Sequence, residues 1–223
     1  MILEERCMKA IAFNGSARKT WNTATLLSKA LEGAAAQGAS TELVHLYDVD
    51  FKGCVSCFAC KTKGGKSYGR CAVKDGLAPL LRKVEEADAF IIGSPIYFAS
   101  VTGVVRSLLE RLCFPYMTYT DPPRSLVPRQ IRAGLIATMG APEGRALEFG
   151  FVQHVTSTEM LLKMIFGACE TLCSFDTYQF EDYSKMAAER FDPAAKARRR
   201  AEVFPGDCEG AFAMGARLAA PTA

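Results

Sequence analysis

Ala10-Ile11-Ala12-Phe13-Asn14-Gly15-Ser16-Ala17-Arg18-Lys19-Thr20-Trp21-Asn22-Thr23-Ala24-Thr25-Leu26-Leu27 decides the reading of this chain, because an apolar run stops at a polar loop and restarts as an amphipathic helix. It reads as a strand, a loop and a helix. Gly15 permits a tight turn where the strand ends, while Ser16, Thr20, Asn22 and Thr23 bring hydroxyls and an amide beside the unpaired backbone N–H groups of the helix start. Such an end attracts phosphate, since its free N–H groups and the positive end of the helix dipole point the same way. The loop has neither the G-x-x-x-x-G-K-[ST] order nor G-x-G-x-x-G, so an ordinary nucleoside triphosphate or dinucleotide site is disfavoured. Taken alone, it leaves a phosphate site and a plain capped β-to-α turn both open.

Outward from this stretch the same alternation repeats. Residues 9–13 form the first strand, and the helix over 22–37 puts Leu26, Leu27, Ala30, Leu31 and Ala34 on one face. A second strand follows at 41–46. Asp75 caps a helix with Leu77, Leu80, Leu81 and Val84 inward, and residues 87–93 form a third strand that is apolar on both faces, as inside a parallel sheet. The helix over 102–113 turns Val104, Val105, Leu108, Leu109 and Leu112 inward, with Arg106, Glu110 and Arg111 outward. A Pro-rich connection over 114–129 reads as a lid or an interface segment. Residues 132–139 give a fourth strand, a helix carries Met160 to Phe166, and 171–175 give a fifth strand. From about residue 183 the chain is helical and more polar, with restarts capped by Asp192 and Asp207. Arg198-Arg199-Arg200 reads as a solvated helix face.

This pattern predicts an α/β fold: a doubly wound five-stranded parallel sheet with helices on both faces and extra C-terminal helices. The expected organisation is one domain over 1–182, with a Cys-rich loop at 53–71 inserted, and a helical extension over 183–223 packed on it. With 223 residues, 27 Lys plus Arg against 24 Asp plus Glu and a net charge of only +3, the composition gives no reason to expect a nucleic-acid or membrane partner. The stretch before the first strand shows no signal-peptide pattern, and the expected location is cytoplasmic. In a reducing compartment nine cysteines are core residues, ligands or redox groups rather than disulfides. Cys113, Cys169 and Cys173 sit in apolar surroundings and read as core; Cys7 and Cys208 carry no readable role. His45 and His154 read as packed residues rather than ligands.

In a doubly wound sheet ligands sit at the carboxyl ends of the strands, beside the reversal in strand order. Three loops fall there: residues 14–22, 94–98 and 139–144. That agreement favours phosphate at the first. The second, Ser94-Pro95-Ile96-Tyr97-Phe98, sets a rigid proline and two aromatic rings after a buried strand, which suits a flat conjugated ring. The plainer alternative is that Tyr97 and Phe98 cover the sheet end.

Gly15-Ser16-Ala17-Arg18-Lys19 with Asn22-Thr23, Gly93-Ser94-Pro95-Ile96-Tyr97-Phe98, Val101-Thr102-Gly103, Glu110-Arg111, and a cysteine cluster followed by Lys74-Asp75 occur in an order that resembles the flavodoxin-like flavoproteins of the NADPH-dependent FMN reductase and iron–sulfur flavoprotein group. The resemblance covers roughly residues 9–140. It implies that Ser16, Arg18, Asn22 and Thr23 hold the FMN phosphate, that Pro95, Ile96, Tyr97 and Phe98 embrace the ring, and that Thr138, Met139 and Gly140 close the other side. Ala17 replaces the usual proline, and Trp21 stands where glycine is common, placed to cover the ribityl chain or ring.

Cys54, Cys57 and Cys60 stand at two-residue intervals, and Cys71 follows after ten more residues. Consecutive C-x-x-C spacing lets one loop turn several sulfurs toward one centre, as in ferredoxin loops. A [4Fe–4S] cluster, metal-free cysteines lining a loop near the flavin, and zinc are all open; zinc fits least, with His45 the only nearby histidine. The expected function is FMN-dependent transfer of electrons from NAD(P)H to a quinone, flavin, iron or bound iron–sulfur acceptor, with no catalytic acid or base. The alternative is an electron carrier with no small-molecule substrate of its own. A homodimer or homotetramer is expected, with a small-molecule or protein redox acceptor.

Overall fold

Alternation inside β1 (Lys9–Asn14) sets up two unequal faces: Ala10 and Ala12 enter one apolar layer, Ile11 and Phe13 the other. The computed structural model describes residues 7–220, so most of the stretch read for a leader lies outside the described residues. Along the chain β1 leads to α1 (Asn22–Ala36), β2 (Ser40–His45), α2 (Leu77–Glu86), β3 (Ala89–Tyr97), β4 (Ser100–Val101), α3 (Gly103–Cys113), β5 (Arg132–Thr138), α4 (Glu143–Glu148), α5 (Phe151–Phe166), β6 (Cys169–Ser174), α6 (Pro193–Glu202) and α7 (Phe204–Ala219). Five strands run parallel in the order β2-β1-β3-β5-β6. The order reverses between β1 and β3, which opens a crevice at their carboxyl ends.

The face carrying Ile11, Phe13, Phe90, Ile92 and Leu135 is covered by α2, α3 and α5 through Leu77, Val84, Val105, Leu108, Leu112, Leu162 and Phe166. Each fully buried leucine here contributes about 1.5–3 kcal/mol of transfer free energy. The opposite face is lined by Ala10, Ala12, Ala89 and Ile91 and is covered by α1 and α7. These two helices touch backbone to backbone. A Cβ built on Gly33 would lie 1.9 Å from the carbonyl oxygen of Phe212, and one on Gly215 would lie 1.7 Å from that of Ala30.

Three readings change. The loop expected at 94–98 is strand as far as Tyr97, turning back into the two-residue β4, whose pairing aligns Ile96 with Val101 and Tyr97 with Ser100. The turn residues Phe98 and Ala99 both have left-handed backbones, at φ 48° and 65°. A two-residue hairpin needs this geometry, which costs L-residues about 1–2 kcal/mol each and usually selects Asn-Gly. Asp207 does not cap a helix: α7 begins at Phe204, and the Asp207 carboxylate instead accepts from Arg199 and the Ser174 hydroxyl. The basic run is not simply solvated either, because Arg199 makes that pair and Arg200 lies 4.1 Å from the Phe204 ring centroid while donating to Asn22.

Among the described residues no helix is long and apolar enough to cross a membrane.

Candidate functional site

The loop after β1 is held from beneath by buried polar side chains. Asn14 accepts from the Ser16 amide (3.0 Å) through Oδ1 and bonds the Ser16 carbonyl and His45 Nδ1 through Nδ2. The Thr102 hydroxyl donates to the Gly15 carbonyl at 2.9 Å, and the Thr102 amide donates to Ser94 Oγ at 3.0 Å. Gly15 has no room for a side chain, since a Cβ would stand 2.1 Å from Val105 Cγ2. The start of α3 therefore sits directly under the loop.

Helix α1 begins without a side-chain cap and without an acidic residue in its first turn. Its first N–H groups are left to a ligand or to solvent. Beside them Ser16, Arg18, Trp21, Asn22, Thr23, Pro95, Ile96, Tyr97, Thr138, Met139 and Gly140 surround one cavity of about 120 Å³. Tyr97, half exposed, stands at the rim. At the buried end the Thr23 and Thr138 hydroxyls face one another at 2.8 Å.

All but one of the eleven residues expected to hold the cofactor meet at this cavity. The exception is Phe98, which points fully into solvent at the hairpin tip. Two others arrive already engaged. Arg18 donates to the Gln179 carbonyl at 2.6 Å with its guanidinium 5.1 Å from the Trp21 ring centroid, and the Asn22 amide donates to the Tyr178 carbonyl at 2.8 Å. Trp21 Nε1 donates to the same Tyr178 carbonyl at 3.0 Å, so Trp21 latches the segment after β6 onto the loop. Thr177, Tyr178 and Gln179 complete the lining and were not anticipated. On the other side the buried Lys196 ammonium pins the Gly140 carbonyl at 2.7 Å and pairs with Asp176.

The second cluster lies between β2 and α2. Cys54, Cys57, Cys60 and Cys71 line one small cavity together with Phe58, Glu110, Arg111 and Phe114. The chain coils there because Ser56 and Phe58 are left-handed, at φ 52° and 54°, a strained arrangement for residues other than glycine. All four cysteines are free; Cys60 is buried, whereas Cys54 and Cys57 are exposed. Burial pushes the Cys60 thiol up, with Lys61 opposing. The Lys61 ammonium donates to the carbonyls of Phe114, Pro115 and Met117, which ties the Pro-rich segment to this loop. Burial draws that ammonium below its ordinary value.

Arg111, expected on the outer face of its helix, is instead buried against this loop and forms a bidentate pair with Asp75. Hydrogen bonding from Arg111 holds the Asp75 carboxyl below the usual carboxylate range. Stability from this pair is therefore present above the unfolded value of about 3.9 and lost as pH falls through the lower folded value. Asp75→Asn is expected to flatten the acid limb of a urea-midpoint against pH curve below about pH 4; an acid limb identical to that of the parent would contradict the pairing.

Among the described residues no three Cys, His, Asp or Glu groups stand where they could share one metal ion. That arrangement does not suit zinc, whose ligands converge on a single centre. Four free thiols lining one cavity, with cationic Arg111 in the same lining, have the donor chemistry for a cubane.

Residues 8–161 match the family described as NADPH-dependent FMN reductase. An iron-sulfur flavoprotein of Archaeoglobus fulgidus is 41% identical over 104 residues, 47% of this chain and 48% of that protein. One from Methanosarcina thermophila is 27% identical over 104 residues, 47% of this chain and 52% of that protein. The chain thus spans about half the length of these curated relatives. Among solved structures, an NAD(P)H:quinone oxidoreductase from Methanothermobacter marburgensis superposes with a TM-score of 0.66 at 13% identity, covering 95% of this chain and 99% of that one. An FMN-dependent NADH-azoreductase from Bacillus anthracis, in complex with FMN, gives 0.64 at 12% identity and the same coverage. At these identities the likeness is one of fold, the flavodoxin-like doubly wound sheet.

Proposed function

Because this chain belongs to the NADPH-dependent FMN reductase family, we propose that it binds FMN at the carboxyl ends of β1, β3 and β5 and passes electrons from a reduced nicotinamide through it to a [4Fe–4S] cluster on Cys54, Cys57, Cys60 and Cys71 or to an external acceptor. The observation that carries the reading is the cavity itself: an uncapped helix start, a buried hydroxyl pair and a hairpin rim, all at the reversal in strand order.

When bound, FMN supplies acceptance of a hydride and its release as one or two electrons, and a cluster supplies one-electron relay. The residues supply placement. Ser16 and Thr23 with their hydroxyls, and α1 with its first N–H groups, would hold the phosphate; Thr23 could donate there while Thr138 donates to it. Arg18 and Asn22, which already hold the carbonyls of Gln179 and Tyr178, would stand beside the same phosphate. Pro95, Ile96 and Tyr97 form a ledge for the ring, with Phe98 at its exposed tip, and Thr138, Met139 and Gly140 face it from β5. Lys196 fixes that wall by holding the Gly140 carbonyl, which supports reading the described helices from residue 183 onward as an extension of the same unit. A homodimer or homotetramer belongs to this reading, supported by exposed Tyr119, Met160 and Met164.

An anaerobic absorption spectrum with iron and sulfide analysis, followed by stopped-flow mixing with NADPH and NADH, tests it. The expected result is a yellow-brown protein whose flavin band bleaches rapidly with one of the two. A colourless protein that fails to take up FMN on titration would sink the proposal, and bleaching only through a partner reductase would favour the electron-carrier alternative.

A further inference from the structure

Arg111 is the largest of the fully buried side chains, with none of its side-chain surface exposed. A guanidinium cannot shed its proton at any ordinary pH, so a buried one must have every donor satisfied. Four of its five N–H groups go to oxygen: Nη1 to the Lys52 carbonyl at 3.1 Å and to Asp75 Oδ2, Nη2 to the Val73 carbonyl at 3.3 Å and to Asp75 Oδ1 at 3.0 Å. The fifth, Nε–H, goes to Cys71 Sγ at 3.3 Å.

A neutral thiol is a weak acceptor and a poor partner for a buried cation, whereas a thiolate or a metal-bound sulfur is a strong one. The neighbouring residue on α3 acts at the other end of the loop, where Glu110 accepts from the Cys54 amide at 3.1 Å. The last turns of one helix therefore clasp the first cysteine by its backbone and the last by its sulfur.

We infer that Arg111 sets the reduction potential of a cluster held by Cys71, by donating Nε–H to that sulfur, with Asp75 limiting how much positive charge the sulfur feels. The inference rests on the iron–sulfur part of the proposed function. One-electron reduction, with reduced flavin as the donor, adds one negative charge to the iron–sulfur unit and its thiolates. A cationic donor at a thiolate stabilises the more negative state, so Arg111 raises the potential and Asp75 lowers it.

The two partners are thus expected to act with opposite signs, which a purely structural clamp would not produce. In anaerobically reconstituted full-length protein, a dye-mediated titration followed by electron paramagnetic resonance reads the cluster potential. Arg111→Gln is expected to shift the oxidised-to-reduced ratio about tenfold toward oxidised, or 59 mV downward for one electron. Asp75→Asn is expected to shift it upward. Should Arg111→Gln fail to fold, Arg111→Lys, which keeps the charge but shortens its reach to the sulfur, is expected to move the potential down by less than tenfold, and Asp75→Asn still decides the sign.

Normal iron and sulfide content with unmoved potentials, or with both variants shifted the same way, would overturn the inference alone. So would folded variants, by circular dichroism, that cannot hold a cluster, since Arg111 would then serve assembly rather than potential. Absence of iron and sulfide from the reconstituted parent protein would overturn the cluster reading and this inference together.

Discussion

Gly215→Leu is expected to cost more than about 4 kcal/mol, a large share of the roughly 5–15 kcal/mol that holds an ordinary domain folded. Most overpacking in a core costs about 1–3 kcal/mol, because neighbouring side chains rotate out of the way. Here the obstacle is backbone: the first added carbon would meet the Ala30 carbonyl oxygen at 1.7 Å, and that carbonyl belongs to the helical ladder of α1. Relief requires lifting α7, which withdraws Ala211, Met214 and Leu218 from the sheet face they cover. Gly33→Leu meets the same wall from the other side, against the Phe212 carbonyl. The two changes should therefore be strongly non-additive in urea denaturation, since a helix already lifted by one is not lifted again by the other. A Gly215→Leu protein with the parent's midpoint would contradict the packing.

Thr23→Val is expected to weaken FMN binding by about 10–150-fold, the range for losing one hydrogen bond to a charged group. The change keeps the shape and removes only the hydroxyl. It also strands the Thr138 hydroxyl, whose partner at 2.8 Å is Thr23. Arg18→Ala should weaken binding as well, because that guanidinium both lines the cavity and pins Gln179 at its edge. Fluorescence quenching of FMN titrated into apoprotein measures both. An unchanged dissociation constant for Thr23→Val would remove this hydroxyl from the phosphate site.

Local chemistry made much of this legible from sequence. The apolar runs of β1 and β3, the restart of α1 and the cysteine spacing all appear within a few residues, and they place the three loops at one edge of the sheet. What escaped notice depends on distant partners. Strand β4 has two residues, and its existence rests on Ile96 and Tyr97 lying opposite it. Tyr178 and Gln179 contribute backbone carbonyls, which every residue carries, so no side-chain signature marks them. Trp21 did carry a signal, an indole N–H in a tight loop that needs an acceptor. Arg111 falls beside Arg106 and Glu110 in the helical pattern and reads as outward; it is buried because Asp75 and a sulfur wait for it in a loop that helical periodicity cannot see.

The contact of α7 with α1 also bears on the order in which the protein is made. Ala10, Ala12 and Ile91 are laid down early, yet the helix that shields them beside α1 is α7, the last element described in the chain. Until α7 has emerged from the ribosome, that face of the sheet is covered by α1 alone, a state prone to association with other chains. Nascent chains halted with residues 204–219 still inside the ribosome should be bound by chaperones far more than chains in which those residues have emerged, because α7 completes the cover of that sheet face.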